Sequence, residues 1–269
     1  MPSLQFDFLP GVERLIEVHR AAGQQPDNLC GPYWVAILLR AFAEQELTSS
    51  DVGQLARSLL PIGDPVDWVP AGASPRQDYS LTLPCTENLA IAGTSIMGLI
   101  EAVKQITGDR WCLIPVQADW NAQRVSTLVN LCLEYSSWQA IPIANWNTTH
   151  LWGSTLPLID VLAYLNGDRI TPPPPDWEVG HFAILAGQVT GTARSLVVVQ
   201  DTYPLFGWDG YHLQSEEAIA AALDRSNDAP RTGGVLLFTQ TELRSVIERV
   251  LQTRSFRIVP WDNGTLWEP

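Results

Sequence analysis

Residues 23–45 read GQQPDNLCGPYWVAILLRAFAEQ, and this stretch places a turn-rich segment directly before an apolar helix. From Tyr33 onward the residues are apolar on almost every side, which predicts a helix buried in the core. Cys30 lies at the junction, where its side chain would face unpaired N–H groups and the positive end of the helix dipole. Such an environment stabilises a thiolate, the form of cysteine that attacks carbonyl carbons. Cys30 is therefore a candidate nucleophile; the alternative is a cysteine packed as a small apolar residue.

A nucleophilic cysteine needs a base, and the base needs a partner that orients it. His181 begins the apolar run HFAIL in a predicted strand over 179–189. The next predicted strand, 195–201, ends in Asp201, and a short turn between the strands would bring Asp201 back beside His181. The sequence thus predicts an imidazole and a carboxylate side by side. The alternative is a histidine at the end of a strand and an aspartate that begins a turn.

Donors to the oxyanion are the third requirement for attack on a carbonyl group. Gln24 lies six residues before Cys30, close enough along the chain for its amide to reach the same substrate oxygen as the Cys30 backbone N–H. Gln25 is adjacent and could be mistaken for it. We predict Gln24 as the side-chain donor.

Four further residues are predicted to contact the substrate. A glycine lets other groups approach closely, and tryptophans in loops can grip a ligand. The predicted substrate-binding residues are Gly31, Gly180, Trp177 and Trp208.

Composition restricts the class of protein. The 269 residues include 29 acidic and 16 basic side chains, and the formal charge of −13 repels a phosphate backbone, so we expect no nucleic-acid partner. Lys104 is the only lysine and no GxxxxGK[ST] motif occurs, which excludes a P-loop enzyme.

The four cysteines lack the paired spacing of a zinc site, and we expect neither a metal nor another cofactor. A metal-dependent hydrolase built on His150, Asp160 and His181 is a third class, but these residues lack the i, i+4 spacing of zinc hydrolases.

The sequence also bears on location. The N-terminal segment carries Asp7 and has no basic region before an apolar run, so we expect no signal peptide and a cytoplasmic protein. The unpaired cysteines fit a reducing compartment. The longest uncharged stretch, 135–159, contains two prolines and several polar residues, so we expect a buried strand and a loop there and no membrane span.

The order of the predicted elements indicates a single α+β domain over 1–269. Residues 1–135 are expected to be mainly helical and 136–269 mainly strands, with proline-rich insertions at about 61–84 and 147–178. The second insertion would overhang His181. Helices are predicted over 11–22, 33–45, 51–60, 94–107, 121–135, 215–225 and 241–252, and strands over 111–118, 140–146, 179–189, 195–201 and 234–238.

The candidate residues occur in a recognisable order along the chain. Gln24 precedes the pair Cys30–Gly31 at the start of an apolar helix, and GHFAIL at 180–185 and VVVQD at 197–201 follow. This order resembles that of papain-like cysteine peptidases, most of all the double-glycine leader peptidases, whose pattern is glutamine, Asp-Cys-Gly, His-Phe and Asp-Pro. The resemblance covers residues 24–42 and about 127–224.

What the resemblance implies is a papain-like fold, in which the nucleophile helix packs on a C-terminal antiparallel sheet. It implies Cys30 as the nucleophile and His181 as the general base. It also implies Asp201 as the orienting carboxylate and Gln24 as the oxyanion-hole donor. The chain departs from the pattern after Asp201, where Thr202 replaces the proline.

These observations predict a cysteine hydrolase, a peptidase or amidase that cleaves a peptide or amide substrate through a thioester acyl-enzyme. An amine in place of water as acceptor would make the same intermediate serve an acyltransferase. The alternative is a papain-like scaffold without catalysis that binds a peptide or a small molecule. Nothing in the sequence indicates the oligomeric state.

Overall fold

In the computed structural model, residues 4–225 and 231–265 are described, and residues 1–3, 226–230 and 266–269 lie outside this description. The described helices are α1 (Val12–Ala22), α2 (Cys30–Ala43), α3 (Ser49–Leu55), α4 (Ile96–Thr107), α5 (Ala122–Glu134), α6 (Leu158–Leu165), α7 (Glu216–Asp224) and α8 (Arg244–Thr253). The described strands are β1 (Gln5–Phe8), β2 (Leu60–Pro61), β3 (Cys85–Thr86), β4 (Trp111–Gln117), β5 (Ile141–Asn147), β6 (Gly180–Thr190), β7 (Ser195–Gln200), β8 (Tyr211–Gln214), β9 (Gly234–Gln240) and β10 (Arg257–Ile258).

A large antiparallel sheet forms the centre of the molecule. Seven strands follow the order β10-β4-β9-β5-β6-β7-β8. The eighth, β1, pairs with the second half of β6, whose first half pairs with β5. Strands β2 and β3 form a separate parallel pair. The mixed α and β architecture with an antiparallel sheet confirms the predicted α+β class.

Both halves of the sequence contribute to this sheet and to one hydrophobic core. The predicted strand over 111–118 is β4, which lies inside the sheet between β10 and β9. Every residue of β4 is buried, so its sequence WCLIPVQ lacks the alternation of a strand with one face in water.

Helix α2 is fixed against β6, and this contact positions the N-terminus of the helix. The indole N–H of Trp34 donates to the Phe182 carbonyl at 3.0 Å. Gly31 allows the helix to lie close, since a Cβ on Gly31 would lie 3.2 Å from the Phe182 ring. The residue before Phe182 is His181, so the same packing sets the relation between Cys30 and the predicted base.

The segment 147–178 contains a helix that the sequence analysis did not predict. α6 has the sequence LIDVLAYL and packs Val161, Tyr164 and Leu165 into the core, while Leu158 and Ile159 are exposed. The four consecutive prolines at 172–175 favour irregular structure in this segment, but they lie after the helix ends. Across the described residues, none of the helices is long and apolar enough to cross a membrane.

Candidate active site

Cys30 is the first residue of α2 and borders a cavity of about 330 Å³. Its side chain is partly buried, and His181 lines the same cavity. Leu29 is the residue before the helix, and its side chain makes no capping hydrogen bond to the first backbone N–H groups of α2. Cys30 thus lies at the junction between the turn-rich segment and the apolar helix, the position that the sequence predicts.

The turn before Cys30 is held in place by the predicted loop 61–84. Both carboxylate oxygens of buried Asp27 accept from the Arg76 backbone N–H at 3.0 Å. The Tyr79 hydroxyl donates to the Asp27 carbonyl at 2.8 Å. Asn28 then adopts a left-handed conformation with φ of 63°, which asparagine tolerates better than most residues. This loop is therefore part of the scaffold of the site.

His181 and Asp201 lie side by side, as the predicted hairpin of β6 and β7 requires. Nε2 of His181 is 3.1 Å from Oδ1 of Asp201, and the two residues are 1% and 4% exposed. Oδ1 also accepts from the Tyr203 backbone N–H at 3.1 Å. Nδ1 of His181 makes no hydrogen bond within the described chain, and the Cys30 thiol lies near enough to the ring to affect its pKa.

Burial and charge act in opposite directions on this pair. Burial lowers the pKa of His181, but the Asp201 carboxylate and the Cys30 side chain together raise it to about 10. Burial raises the pKa of Asp201, yet the neighbouring His181 and His212 bring it well below its ordinary value. The arrangement therefore favours an imidazolium next to a carboxylate, with the Cys30 thiol in the same cavity.

A profile of one protein family matches residues 9–262, a range that contains all of these side chains. The chain belongs to DUF6885, a family of unknown function. Comparison with curated proteins gives no match. Membership in DUF6885 therefore assigns no activity to these side chains.

The oxyanion donor predicted for this DUF6885 chain needs correction. The Gln24 amide donates to the Ser74 carbonyl at 2.8 Å, in the loop that braces the turn. Its neighbour Gln25 is 1% exposed and lines the cavity with Cys30. The Gln25 amide makes one long contact, from Nε2 to the Pro26 carbonyl at 3.3 Å, and its Oε1 has no partner among the described residues. Gln25 is the glutamine whose side chain the structure places at the site.

Two of the four predicted substrate contacts lie at the cavity. Trp177 lines it and packs edge-on against the His181 ring, with 5.2 Å between ring centroids. Gly180 lines it beside the Arg225 guanidinium, which is 3.7 Å from the position of a Cβ on Gly180.

The other two predicted contacts lie elsewhere. Gly31 is a residue of α2 and is buried against Leu99 and Phe182, so its lack of a side chain serves helix packing. Trp208 is 70% exposed and borders a different depression, next to Tyr211 and Leu213. The motif position of Gly31 and the loop position of Trp208 do not indicate whether either residue reaches the cavity of Cys30.

Sequence reasoning also missed residues near the site. His212, on β8, has Nε2 at 3.9 Å from Oδ2 of Asp201. Arg225, Arg231 and Asn145 line the cavity of Cys30. His212 follows a loop, and no pairing signal linked β8 to β7 in the sequence. Within residues 4–225 and 231–265, no group of three or more histidine, cysteine, aspartate or glutamate side chains is arranged to hold a metal ion.

Proposed function

We propose that this chain is a papain-like cysteine hydrolase that cleaves a peptide or amide through a thioester acyl-enzyme. The observation that carries the proposal is that Cys30 and His181 line one cavity while His181 pairs with buried Asp201. The thiol lies at a helix N-terminus and shares its cavity with an imidazole whose Nε2 is 3.1 Å from a buried carboxylate. A thiol, a base and an orienting acid in this order form the unit that nucleophilic catalysis requires.

The papain-like assignment of the fold is part of the same proposal. It is supported by a helix that begins with Cys30 and packs on an antiparallel sheet. In that sheet His181 lies in β6, and Asp201 directly follows the neighbouring strand β7. We also propose a cytoplasmic location, because all four cysteines are free and a reducing compartment preserves free thiols.

In the first chemical step, Sγ of the Cys30 thiolate attacks the substrate carbonyl carbon. A C–S bond forms and the carbonyl electrons move to oxygen, where the Cys30 backbone N–H and the Gln25 amide donate to the oxyanion. The carbonyl then re-forms, the C–N bond breaks, and the His181 proton passes to the leaving nitrogen. The products of this step are a free amine and a thioester on Cys30.

In the second step, water is the nucleophile and His181 accepts its proton. The C–O bond forms, the C–S bond breaks and the carboxylic acid leaves, which restores the thiolate and the imidazolium. An amine in place of water gives an amide by the same sequence of proton transfers. Asp201 holds the imidazole in one tautomer and stabilises its charged form throughout.

The test of the proposal is the pH dependence of Cys30 alkylation by iodoacetamide, with peptide mass spectrometry to resolve the cysteines. Exposed Cys85 provides a reference in the same molecule. Burial raises the pKa of Cys132 to about 12, so Cys132 should react slowly. At pH 6, where an ordinary thiol with a pKa of about 8.5 is almost fully protonated, we expect Cys30 to react at least about tenfold faster than Cys85.

His181→Ala should remove this reactivity at low pH and leave Cys85 unchanged. If Cys30 in the wild-type protein follows the Cys85 profile, or does not react at all, no thiolate–imidazolium pair exists. The chain would then be better described as a binding scaffold, the alternative that the sequence leaves open.

The two adjacent glutamines give a second prediction with its own control. Gln25→Ala should lower kcat roughly 10²- to 10³-fold, the usual cost of losing one oxyanion donor. Gln24→Ala should change kcat little, because the Gln24 amide donates to the Ser74 carbonyl. Both variants are measured on a panel of fluorogenic amides and thioesters, after thermal unfolding has established that they fold. A large loss with Gln24→Ala and none with Gln25→Ala would reverse the assignment.

A further inference from the structure

The Asp201 carboxylate lies between two imidazoles. His181 Nε2 is 3.1 Å from Oδ1, and His212 Nε2 is 3.9 Å from Oδ2. The second distance is too long for a hydrogen bond, but it leaves Nε2 of His212 as a polar atom directly facing Oδ2. All three side chains are nearly inaccessible to water, with exposures of 1%, 4% and 6%. His181 and Asp201 take part in the proposed catalytic steps, whereas His212 does not.

Strand register explains why His212 faces the carboxylate. Val199 of β7 pairs with His212 of β8, and Val197 pairs with Gln214. Side chains alternate along a strand and paired residues share a face, so Asp201, two residues after Val199, lies on the face that carries His212. Gln214 follows on the same face, directly behind His212.

Gln214 is held in one orientation by the backbone of Trp152. The Trp152 N–H donates to Oε1 of Gln214 at 2.8 Å, and Nε2 of Gln214 donates to the Trp152 carbonyl at 2.8 Å. A rotated amide would place a donor against the N–H and an acceptor against the carbonyl, so this pair of bonds fixes which end is nitrogen. Nε2 is also 3.0 Å from Nδ1 of His212, to which it can offer its second hydrogen.

This contact determines the tautomer of His212. An amide NH₂ group only donates, so Nδ1 of His212 must accept. The neutral ring then carries its hydrogen on Nε2, the atom that faces Oδ2 of Asp201. We propose that His212 is a positioning residue of the site, held by Gln214 in the tautomer that presents N–H to Asp201. The effect of His212 on Cys30 rests on the proposed function. The tautomer of His212 follows from its contact with Gln214 and does not depend on that function.

The role of such a residue is to keep the carboxylate ionised and oriented. With His181 and the Tyr203 backbone N–H at Oδ1 and His212 at Oδ2, the carboxylate has N–H groups on both sides. Rotation of the carboxylate would break the two hydrogen bonds at Oδ1 and would also move Oδ2 away from the His212 N–H. The expected consequence is a better-defined His181 orientation toward Cys30.

The tautomer is tested by two-bond ¹H–¹⁵N correlation spectra of the ¹⁵N-labelled full chain. The sequence contains only four histidines, and His212→Gln identifies the His212 signals by their loss. We expect the Nε2–H form in the wild-type protein. Gln214→Glu replaces the donor with an acceptor and should change His212 to the Nδ1–H form or to the imidazolium. An Nδ1–H ring in the wild type, or an unchanged tautomer in Gln214→Glu, would overturn the inference.

The positioning role is tested by the Cys30 alkylation rate at pH 6. His212→Leu should lower the rate roughly tenfold, whereas His212→Gln, which keeps an N–H donor, should recover most of it. A merely structural role would not distinguish these two variants once both are shown to fold by near-UV circular dichroism. If His181→Ala leaves the rate unchanged, the proposed function itself fails. If His181→Ala lowers the rate but His212→Leu behaves as the wild type, only the role of His212 fails.

Discussion

Cys30→Ala should abolish acyl transfer, with kcat reduced roughly 10⁴- to 10⁶-fold, because no thioester can form without the sulfur. The fold should survive the change. Cys30 is the first residue of α2 and only partly buried, and alanine has the highest helix propensity of any residue. We therefore expect the free energy of unfolding to change by less than about 1 kcal/mol.

Hydrolysis of fluorogenic amides and thioesters, together with urea unfolding followed by tryptophan fluorescence, measures both effects. Cys85→Ala is the matched control, since it removes an exposed thiol outside the cavity lining. Turnover that persists in Cys30→Ala would mean that another group is the nucleophile. A variant that fails to fold would favour the packing role that the sequence leaves open for Cys30.

The elements that carry the central residues of the site could be predicted from the sequence because their signals are local. Helix α2 is apolar on nearly every side and follows a turn-rich segment, so its start near Cys30 follows from composition. Strands β6 and β7 are rich in valine, isoleucine and leucine and are separated by a short turn, so their pairing requires no distant information. His181 and Asp201 are brought together by this hairpin alone.

Which of the two glutamines faces the cavity could not be predicted, because this depends on a contact that is distant in sequence. Gln24 and Gln25 are chemically identical neighbours, and their different directions follow from the loop at 74–79, which accepts from one of them and braces the turn. Spacing from Cys30 therefore restricts the candidate side-chain donor to Gln24 or Gln25. The contact of Gln24 with Ser74 leaves Gln25 at the cavity.

His212 escaped prediction for a related reason. Its place beside Asp201 depends on the register of β8 against β7, and β8 is only four residues long and follows an irregular loop. Trp208 is predicted to contact the substrate but does not reach the site. It lies in the loop before β8 and borders another depression. Residue type indicates what a side chain can do, whereas register and loop geometry decide whether it reaches the site.

Asp201→Asn should lower kcat roughly 10³- to 10⁴-fold, less than His181→Ala, because the carboxylate orients the base but does not carry the proton. The same change breaks a buried ion pair and should reduce the free energy of unfolding by roughly 3–5 kcal/mol. Asp209→Asn is the matched control. Asp209 pairs with Arg20 at the surface, where loss of a salt bridge costs less than about 1 kcal/mol.

The pH dependence of this destabilisation distinguishes an ion pair from simple packing. The pKa of His181 is raised from 6.5 to about 10, so its contribution to stability is complete below pH 6.5 and is lost as the pH rises toward 10. The pKa of Asp201 is lowered from 3.8, so its contribution is complete above pH 3.8 and is lost as the pH falls below it. The difference in unfolding free energy between wild type and Asp201→Asn should therefore be largest between these values, at about pH 4 to 6.5, and decline on both sides. A difference that is constant from pH 3 to pH 10 would mean that His181 and Asp201 are not a charged pair, and the imidazolium needed to protonate the leaving group would have no support.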